Sequence, residues 1–414
     1  MSIREDELKR MSEEILAFPC YPGEEGDAQR WFADDLAEFG FDCYEWEPDA
    51  AVLDGHDSFP PAEDLELDDR PSVAGVLEFG DPDAGPTLVL NGHMDVVPVE
   101  EANWSSDPFE PRWEGDRLYG RGAVDMKCGL LACVFAALAV SDRDPDVDGR
   151  IVVESVVGEE EGGIGAAMAA LENPYPFERD AAIIPEPTGL ALTVASEGSL
   201  MKRLELFGKS AHAARTWEGE SVLPHFERIR RAFMDLESER SERVTHPLYE
   251  RYETPWPVNF GTVEAGEWAS SVPSQLVSEI RIGVAPQETV DEVEAEFEAR
   301  LAEIVADSEW LSAHPPAFDR FSVQFEGSEI DPDEPIVRLL RETAVEHGID
   351  EPTVDGSTGG ADSRHYIAAG IPTVMFGPGP TELAHQSDEY VHWEELLSCA
   401  EILADTAVSY LQRG

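Results

Sequence analysis

The chain has 414 residues, 42% of them hydrophobic, and its 87 acidic residues against 29 basic ones give a formal charge of −58. Such a length suits two domains, and the acidity argues against nucleic-acid or anionic-membrane partners, since both need basic patches. No apolar run approaches the roughly 20 residues of a membrane span. The charged start MSIREDELKR lacks an apolar signal segment, so we expect a cytoplasmic protein.

The acidic residues are spread from end to end, and lysine occurs only at positions 9, 127, 202 and 209. A surface of this kind suggests adaptation to high salt, where screening weakens the repulsion between carboxylates. We therefore treat a halophilic protein as a hypothesis.

Predicted helices and strands alternate in the first part of the chain. Hydrophobic spacing predicts, in order, helices at 4–17 and 25–39, strands at 41–46, 73–79 and 87–91, a helix at 126–141, a strand at 150–157, a helix at 164–172 and a strand at 181–184. This alternation is typical of a layered α/β domain with a mostly parallel sheet.

The pattern changes at about residue 197. The segments predicted from there are a strand at 200–207, a helix at 221–239, strands at 258–264 and 275–284, and a helix at 288–305. This order indicates a small α+β insert. A helix at 335–347, a strand at 371–376 and a helix at 393–412 return to the first pattern. We predict one domain built from 1–196 and 312–414, interrupted by a second domain at 197–311.

Imidazoles and carboxylates follow several of the predicted strands. The candidates are His93 and Asp95 after strand 87–91, Asp125 in the glycine turn 120–127, Glu159 and Glu160 in the run 158–163, Glu186 after strand 181–184, and His385 before the last helix. Each has an ordinary structural explanation, such as a loop histidine, a helix N-cap or a solvated acidic loop. Together they suit two divalent ions that share a carboxylate, with Asp95 orienting His93.

The order of these motifs resembles a known family, the cocatalytic metallopeptidases that include acetylornithine deacetylase, succinyl-diaminopimelate desuccinylase, aminoacylase and carboxypeptidase G. The likeness covers essentially the whole chain. The motifs that carry it are NGHMDVVP (91–98), LYGRGAVDMKCG (118–129), GEEEGG (158–163), PEPT (185–188), GKSAH (208–212), STGGADSRHY (357–366) and FGPGP…AHQSDEYV (376–391). The resemblance implies a three-layer α/β catalytic domain with a mostly parallel sheet, and an inserted ferredoxin-like lid and dimerisation domain.

The resemblance also implies roles for individual residues. It assigns His93 and Glu186 to one metal ion, Glu160 and His385 to the other, and Asp125 to both. The ions would be zinc, with cobalt or manganese as alternatives. The implied catalytic residues are Glu159 as general base and acid, Asp95 as the residue that orients His93, and His212, which would reach the partner subunit's active site. The implied substrate-binding residues are Asn259, Arg281, Arg364, Gly377 and Gly379. Asp362 belongs to the same segment as Arg364, with a less defined role.

The sequence departs from the family pattern at three positions, Cys128, Gly158 and Thr216, and none of them removes a proposed ligand. The function implied is removal of the acyl group from an N-acyl amino acid by a homodimer. A dipeptidase or carboxypeptidase with the same metals is the second interpretation, and a carbamoyl-amide hydrolase is the third. A binding protein without catalysis is a further alternative, against which the intact Glu159 argues.

Overall fold

A computed structural model of the protein describes residues 3–61 and 64–413. Its helices are α1 (Glu5–Leu16), α2 (Gly26–Glu38), α3 (Ala50–Leu53), α4 (Lys127–Arg143), α5 (Ile164–Leu171), α6 (Val222–Arg243), α7 (Val290–Ala306), α8 (Glu309–Ala313), α9 (Pro335–Glu346), α10 (Ser363–Ala368) and α11 (Trp393–Leu411). Its strands are β1 (Asp42–Trp46), β2 (Ser72–Phe79), β3 (Thr87–His93), β4 (Arg112–Glu114), β5 (Arg117–Tyr119), β6 (Gly149–Val156), β7 (Ala181–Pro187), β8 (Leu192–Ser196), β9 (Gly198–Phe207), β10 (Val258–Ala265), β11 (Gln275–Val284), β12 (Ala317–Arg320), β13 (Ser328–Glu329), β14 (Val354–Ser357), β15 (Thr373–Gly377) and β16 (Tyr390–His392).

A large sheet of nine strands, in the order β1-β2-β6-β3-β7-β15-β8-β13 with β14 paired to β8, forms the centre of the fold among the described residues. Its four middle strands, β6, β3, β7 and β15, run parallel to one another. Strands towards both edges include antiparallel pairs, such as β1 with β2 and β8 with β15. The predicted α/β class with a mostly parallel sheet is confirmed.

Both faces of the large sheet are covered. Leu88 and Leu90 of β3 belong to a core cluster shared with α4 and α11, whereas Val89 between them belongs to a cluster on the opposite face. Side chains alternate across a strand, so this division explains why the run 87–91 is apolar at nearly every position. α4 is buried along its length from Lys127 to Val140, which accounts for its unbroken apolar sequence. The sheet with its two helical faces gives the three predicted layers.

A second sheet is antiparallel, with the order β10-β11-β9-β12. Taken in chain order with α6 and α7, its elements run strand, helix, strand, strand, helix, strand. This is the arrangement expected for a ferredoxin-like unit, and the sheet has its own apolar core with Phe233 and Phe297 in edge-to-face contact. The strand β12, at Ala317–Arg320, pairs with β9. The division of the chain at 196/197 and 311/312 stays a prediction.

Some elements differ from those expected. The strand predicted at 181–184 continues to Pro187, so Glu186 lies inside β7 rather than in a turn beyond it. The short strands β8, β13 and β14 and a small sheet in the order β16-β5-β4 were not predicted, because two to five residues give too little periodicity to detect. Within the described ranges, no helix combines the length and the apolar character needed to cross a membrane.

Candidate metal centre

The candidate site lies where the middle strands of the large sheet end. His93 is the last residue of β3, Glu186 is the next-to-last residue of β7, and the turn with Glu159 and Glu160 follows β6. β3 pairs with both β6 and β7 in parallel, so these three strands deliver their carboxyl ends to one edge. Open α/β sheets bind ligands at this edge.

A first group of possible ligand atoms consists of His93, Asp125 and Glu186, whose donor atoms lie within 4.8 Å of one another. Nε2 of His93 is 3.2 Å from Oδ1 of Asp125 and 3.9 Å from Oε1 of Glu186. His93 is almost wholly buried, and the two carboxylate side chains are 13% and 14% exposed. One nitrogen and two oxygens at this spacing are a suitable partial set for zinc, cobalt or manganese.

A second group consists of Asp125, Glu160 and His385. Nε2 of His385 lies 3.1 Å from Oε1 of Glu160 and 3.3 Å from Oδ2 of Asp125. The two oxygens of Asp125 therefore face different histidines, Oδ1 towards His93 and Oδ2 towards His385. The structure thus brings all five predicted ligands together and places Asp125 between the two groups.

A third group overlaps these two and contains His93, Glu159 and Glu160. Glu159 is 9% exposed and lies beside the predicted ligands, where a group that exchanges protons with substrate would be needed. Its carboxylate is also close enough to act as a ligand itself. Its position suits both a general base and a metal ligand.

Asp95 supports the site in two ways. Its backbone carbonyl is 2.9 Å from Nδ1 of His93, so that nitrogen donates a hydrogen and leaves Nε2 free to face the carboxylates. Its side chain accepts hydrogen bonds from the backbone N–H groups of Glu159, at 3.1 Å, and Glu160, at 3.0 Å. The second contact fixes the turn that carries both glutamates, and no sequence pattern had indicated it.

The acids of the site carry more negative charge than the nearby histidines neutralise. Burial, helped by the charge of Asp125, raises the pKa of Glu186 to about 8. Burial also raises the pKa of Glu159 well above its usual range. Hydrogen bonds to Asp125 and Glu160 raise the pKa of His385 to about 10. Bound cations would stabilise the charged form of these buried carboxylates.

The residues present fit a pair of divalent ions. Oε1 of Glu186 is buried and has no hydrogen-bond partner among the described residues, although it lies 3.9 Å from Nε2 of His93. A buried carboxylate oxygen without a partner is costly unless it binds a cation. The donors are imidazole nitrogens and carboxylate oxygens without a thiolate, which suits zinc, cobalt or manganese.

His212 and Asn259 lie on the antiparallel sheet unit. His212 is exposed, and its Nδ1 accepts a hydrogen bond from the backbone N–H of Ala214, which caps the short turn at Ala213–Glu218. Asn259 is exposed on β10, opposite Arg281 of β11. Among the contacts of the described residues, none joins His212 or Asn259 to the carboxylate–imidazole cluster.

The two arginines that are predicted to bind substrate, Arg281 and Arg364, form hydrogen bonds with other residues of the protein. Arg281 donates to Oε1 of Glu197 at 3.0 Å and to the carbonyl of Thr358 at 3.2 Å. Arg364 is buried and donates to the carbonyl of Gly162 at 2.5 Å, so it holds the turn that carries Glu159. A role in binding substrate stays a prediction for both residues.

The two predicted glycines lie in close contact with neighbouring backbone. Gly377 ends β15, and a Cβ there would be 2.2 Å from the carbonyl oxygen of Pro185. Gly379 has φ of +78°, and a Cβ there would be 2.2 Å from Cγ2 of Val124. Both glycines are therefore required by packing beside β7 and the Asp125 turn. Whether they also meet substrate stays a prediction.

Asp362, whose role was left open, is 1% exposed, and neither of its carboxylate oxygens has a hydrogen-bond partner in the described part of the chain. Burial raises its pKa to about 7, and Arg364 opposes that shift. Its Oδ1 lies against Gly163, where a Cβ would be 2.2 Å away. The carboxylate thus packs against the end of the turn that begins with Glu159.

Comparison with known proteins supports one family throughout. The chain is 26% identical to the N-formyl-4-amino-5-aminomethyl-2-methylpyrimidine deformylase of Bacillus subtilis (strain 168), over 99% of this chain and 95% of that protein. It is 26% identical to a protein of Staphylococcus aureus (strain MSSA476) named probable succinyl-diaminopimelate desuccinylase, over 81% of this chain and 86% of that one. Its fold is similar to the crystal structure of a tripeptidase from Staphylococcus aureus subsp. aureus Mu50, with a TM-score of 0.76 and 20% identity over the full length of both chains.

A family-level comparison covers most of the chain. Residues 89–409 match the peptidase family M20/M25/M40, a stretch that includes all five predicted ligands. The predicted family membership is confirmed. The protein belongs to peptidase family M20/M25/M40, metal-dependent hydrolases that act on amide bonds.

Proposed function

We propose that the protein is a dizinc amidohydrolase that removes the acyl group from N-acyl amino acids, as acetylornithine deacetylase and succinyl-diaminopimelate desuccinylase do. The observation that carries the proposal is the shared position of Asp125, whose two oxygens face His93 and His385 in two adjoining ligand groups. The relatives named as a deformylase and as a probable desuccinylase support cleavage of an N-acyl bond.

His93, Asp125 and Glu186 would hold one ion, and Asp125, Glu160 and His385 would hold the other. When bound, two divalent ions act as Lewis acids that polarise the scissile carbonyl and lower the pKa of the attacking water. Zinc suits the mixture of imidazole and carboxylate donors, and cobalt or manganese would serve with the same residues.

Glu159 is proposed to transfer a proton from the attacking water to the leaving amine. Its carboxylate would take a proton from the attacking water and give it to the nitrogen of the leaving amine, so that one residue serves as base and then as acid. Asp95 holds the backbone N–H of Glu159 at 3.1 Å and thereby fixes where that carboxylate can reach. Arg364 holds the far end of the same turn through the carbonyl of Gly162.

His212 is proposed to act in a homodimer by donating a hydrogen bond to the scissile carbonyl in the partner's site. The proposal is supported by its exposure and by two large exposed side chains. Trp217 follows His212 closely in the chain, and Trp268 lies just before Ser271, which forms an isolated β-bridge with His212. The two tryptophans are 76% and 71% exposed. Exposed aromatic residues of this size are typical of association surfaces. Sedimentation velocity should therefore give a dimer, and a Trp268→Glu variant should move the protein towards the monomer.

The substrate is proposed to be an N-acyl amino acid held by the inserted unit and the sheet edge. Asn259, Arg281 and Arg364 would contribute polar contacts, and the turn with Gly377 and Gly379 would border the pocket. The formal charge of −58 favours a substrate with a cationic amino-acid portion, although high salt would screen most of that attraction.

A dipeptidase or carboxypeptidase is the second candidate, favoured by the match to a family of peptidases. The metal centre and Glu159 would act in the same way, and only the group on the carbonyl side of the scissile bond would differ. N-acyl substrates and peptides of the same amino acid separate the two functions.

The test is release of free amine from a panel of N-acetyl, N-succinyl and N-formyl amines and dipeptides, assayed with added zinc, cobalt or manganese at high salt. We expect one or more N-acyl amino acids to be cleaved, and we expect a chelator to abolish this activity. Faster cleavage of dipeptides than of every N-acyl compound would favour the peptidase, and chelator-resistant hydrolysis would contradict the metal centre.

A further inference from the structure

A buried carboxylate beside the metal centre belongs to none of the ligand groups. Glu389 lies four residues after His385, and its side chain is wholly buried. Oε1 accepts hydrogen bonds from the backbone N–H groups of Val124, at 2.8 Å, and Asp125, at 3.1 Å. Oε2 accepts from the N–H of Gly122 at 3.1 Å and from Nη1 of Arg121 at 2.6 Å.

These four contacts act on the turn that carries Asp125. The residues from 121 to 126 form no helix or strand, so their amides lack the partners that regular structure would provide. The Glu389 side chain satisfies three of these amides, and Arg121 compensates its charge. Charge-assisted hydrogen bonds of this kind are stronger and more directional than neutral ones.

The same residue also connects two of the three segments that supply ligands to the second group, those of Asp125 and His385. The backbone carbonyl of Glu389 accepts from the N–H of Gly120 at 3.1 Å, so both its backbone and its side chain hold the turn. At the other end of the segment, Nε2 of His385 lies 3.3 Å from Oδ2 of Asp125. Glu389 therefore links the backbone of the Asp125 turn to the segment that carries His385.

We infer that Glu389 is a positioning residue for the metal centre. It holds the Asp125 turn so that Asp125 lies between the two groups of ligands and close to His385. This inference rests on the metal centre proposed above. Among the described residues, the Glu389 side chain forms hydrogen bonds with three backbone amides and Arg121 and with no ligand side chain, so it would act through the backbone of the Asp125 turn. Since Asp125 contributes to both groups, loss of Glu389 should weaken the binding of both ions.

The alternative is that Glu389 forms an ordinary buried ion pair with Arg121 that contributes to folding alone. The antiparallel unit contains a comparable ion pair, although Glu288 is 16% exposed and Arg240 also binds Glu296. Glu288 receives two hydrogen bonds from the buried Arg240, at 2.7 and 3.2 Å, and a third from the backbone N–H of Ala285 at 3.3 Å. None of the partners of Glu288 in the described part of the chain is a proposed metal ligand, so Glu288→Gln perturbs a buried-arginine network away from the metal centre.

The experiment measures zinc affinity in metal-free wild-type protein, Glu389→Gln and Glu288→Gln, by competition with a chromophoric chelator at high salt. Thermal unfolding of the metal-free proteins is measured in parallel. We expect two zinc ions per wild-type chain, and both affinities weaker by about 10- to 100-fold in Glu389→Gln, the usual loss when a group supporting a ligand is removed. Glu288→Gln should keep both wild-type affinities. Excess zinc should restore much of the turnover of Glu389→Gln.

Wild-type zinc affinities in a folded Glu389→Gln protein, with or without a lower unfolding temperature, would overturn the inference and leave the metal centre intact. A wild-type chain that binds fewer than two ions would instead refute the metal centre, and with it the role of Glu389. If Glu389→Gln does not fold, the same zinc affinities are measured in Glu389→Asp. That variant keeps the charge but is too short to reach all three amides, so weaker binding is again expected, and unchanged binding contradicts the inference.

Discussion

Glu159 lies in the turn after β6, is 9% exposed, and has a carboxylate oxygen within 4.8 Å of ligand atoms of His93 and Glu160. Its backbone is held by Asp95 and its turn by Arg364. Among the described residues, no hydrogen bond restrains the side chain itself, which suits a group that moves a proton between water and amine.

Replacement of Glu159 by glutamine keeps the size of the side chain and removes the proton acceptor. We expect kcat to fall by about 10²- to 10⁴-fold, the usual contribution of a general acid–base residue, with two metal ions still bound. The measurements are steady-state kinetics and metal content on the same preparation. Loss of one ion would instead identify Glu159 as a ligand, in agreement with the third group of donors, and a near-normal rate would remove it from the mechanism.

At the scale of single residues, the sequence predicted the proposed metal ligands but not the hydrogen bonds that hold them in position. His93, Asp125, Glu160, Glu186 and His385 were named from motifs, and they converge in space. The contacts of the Asp95 carboxylate and of Glu389 were not foreseen. Glu389 reaches amides some 265 positions earlier in the chain, and no local spacing encodes such a contact.

The elements explain why distant motifs meet. β6, β3 and β7 are neighbours in the sheet although they are far apart in the chain, and their parallel course places three ligand segments at one edge. Long helices and apolar strands were predictable from periodicity. The pairing order of the strands was not, because hydrophobic patterning shows which face of a strand is buried and not which strand lies beside it.

The inserted unit leads to a prediction about the element that carries His212. If this histidine acts in the partner's site, His212→Ala and Glu159→Gln homodimers should each be inactive, yet mixing and re-association should restore activity. Random exchange gives one intact site in each mixed dimer, or about a quarter of wild-type activity.

The control for that experiment is the same mixture of His212→Ala and Glu159→Gln, with each homodimer chemically cross-linked before mixing. Complementation should then disappear, since subunits can no longer exchange. The mixture of the two variants without cross-linking could also stay inactive although sedimentation shows mixed dimers. That result would contradict a role of His212 in the partner's site.

The whole molecule is dominated by its charge of −58. Arginines form many surface ion pairs, such as Arg30 with Asp69 at 2.7 Å, but too few basic residues exist to neutralise the acids. Exposed pairs of this kind contribute little to the free energy of folding. Repulsion among the remaining carboxylates should therefore oppose folding in dilute buffer.

We expect the thermal unfolding temperature to rise steeply with potassium chloride, mainly below about 1 M, as the screening length falls from about 10 Å to about 3 Å. Sucrose at matched osmolality is the control, because it stabilises folded proteins without screening charge. Equal stability in dilute buffer and in concentrated salt would contradict adaptation to high salt.

The most direct test of the proposed metal centre is anomalous diffraction at the zinc edge from a crystal soaked in zinc. We expect two peaks about 3.5–4 Å apart, the spacing of cocatalytic ions, with Asp125 bridging them, His93 and Glu186 on one and Glu160 and His385 on the other. A single peak, or peaks that do not touch Asp125, would contradict the binuclear centre on which the proposed hydrolysis depends.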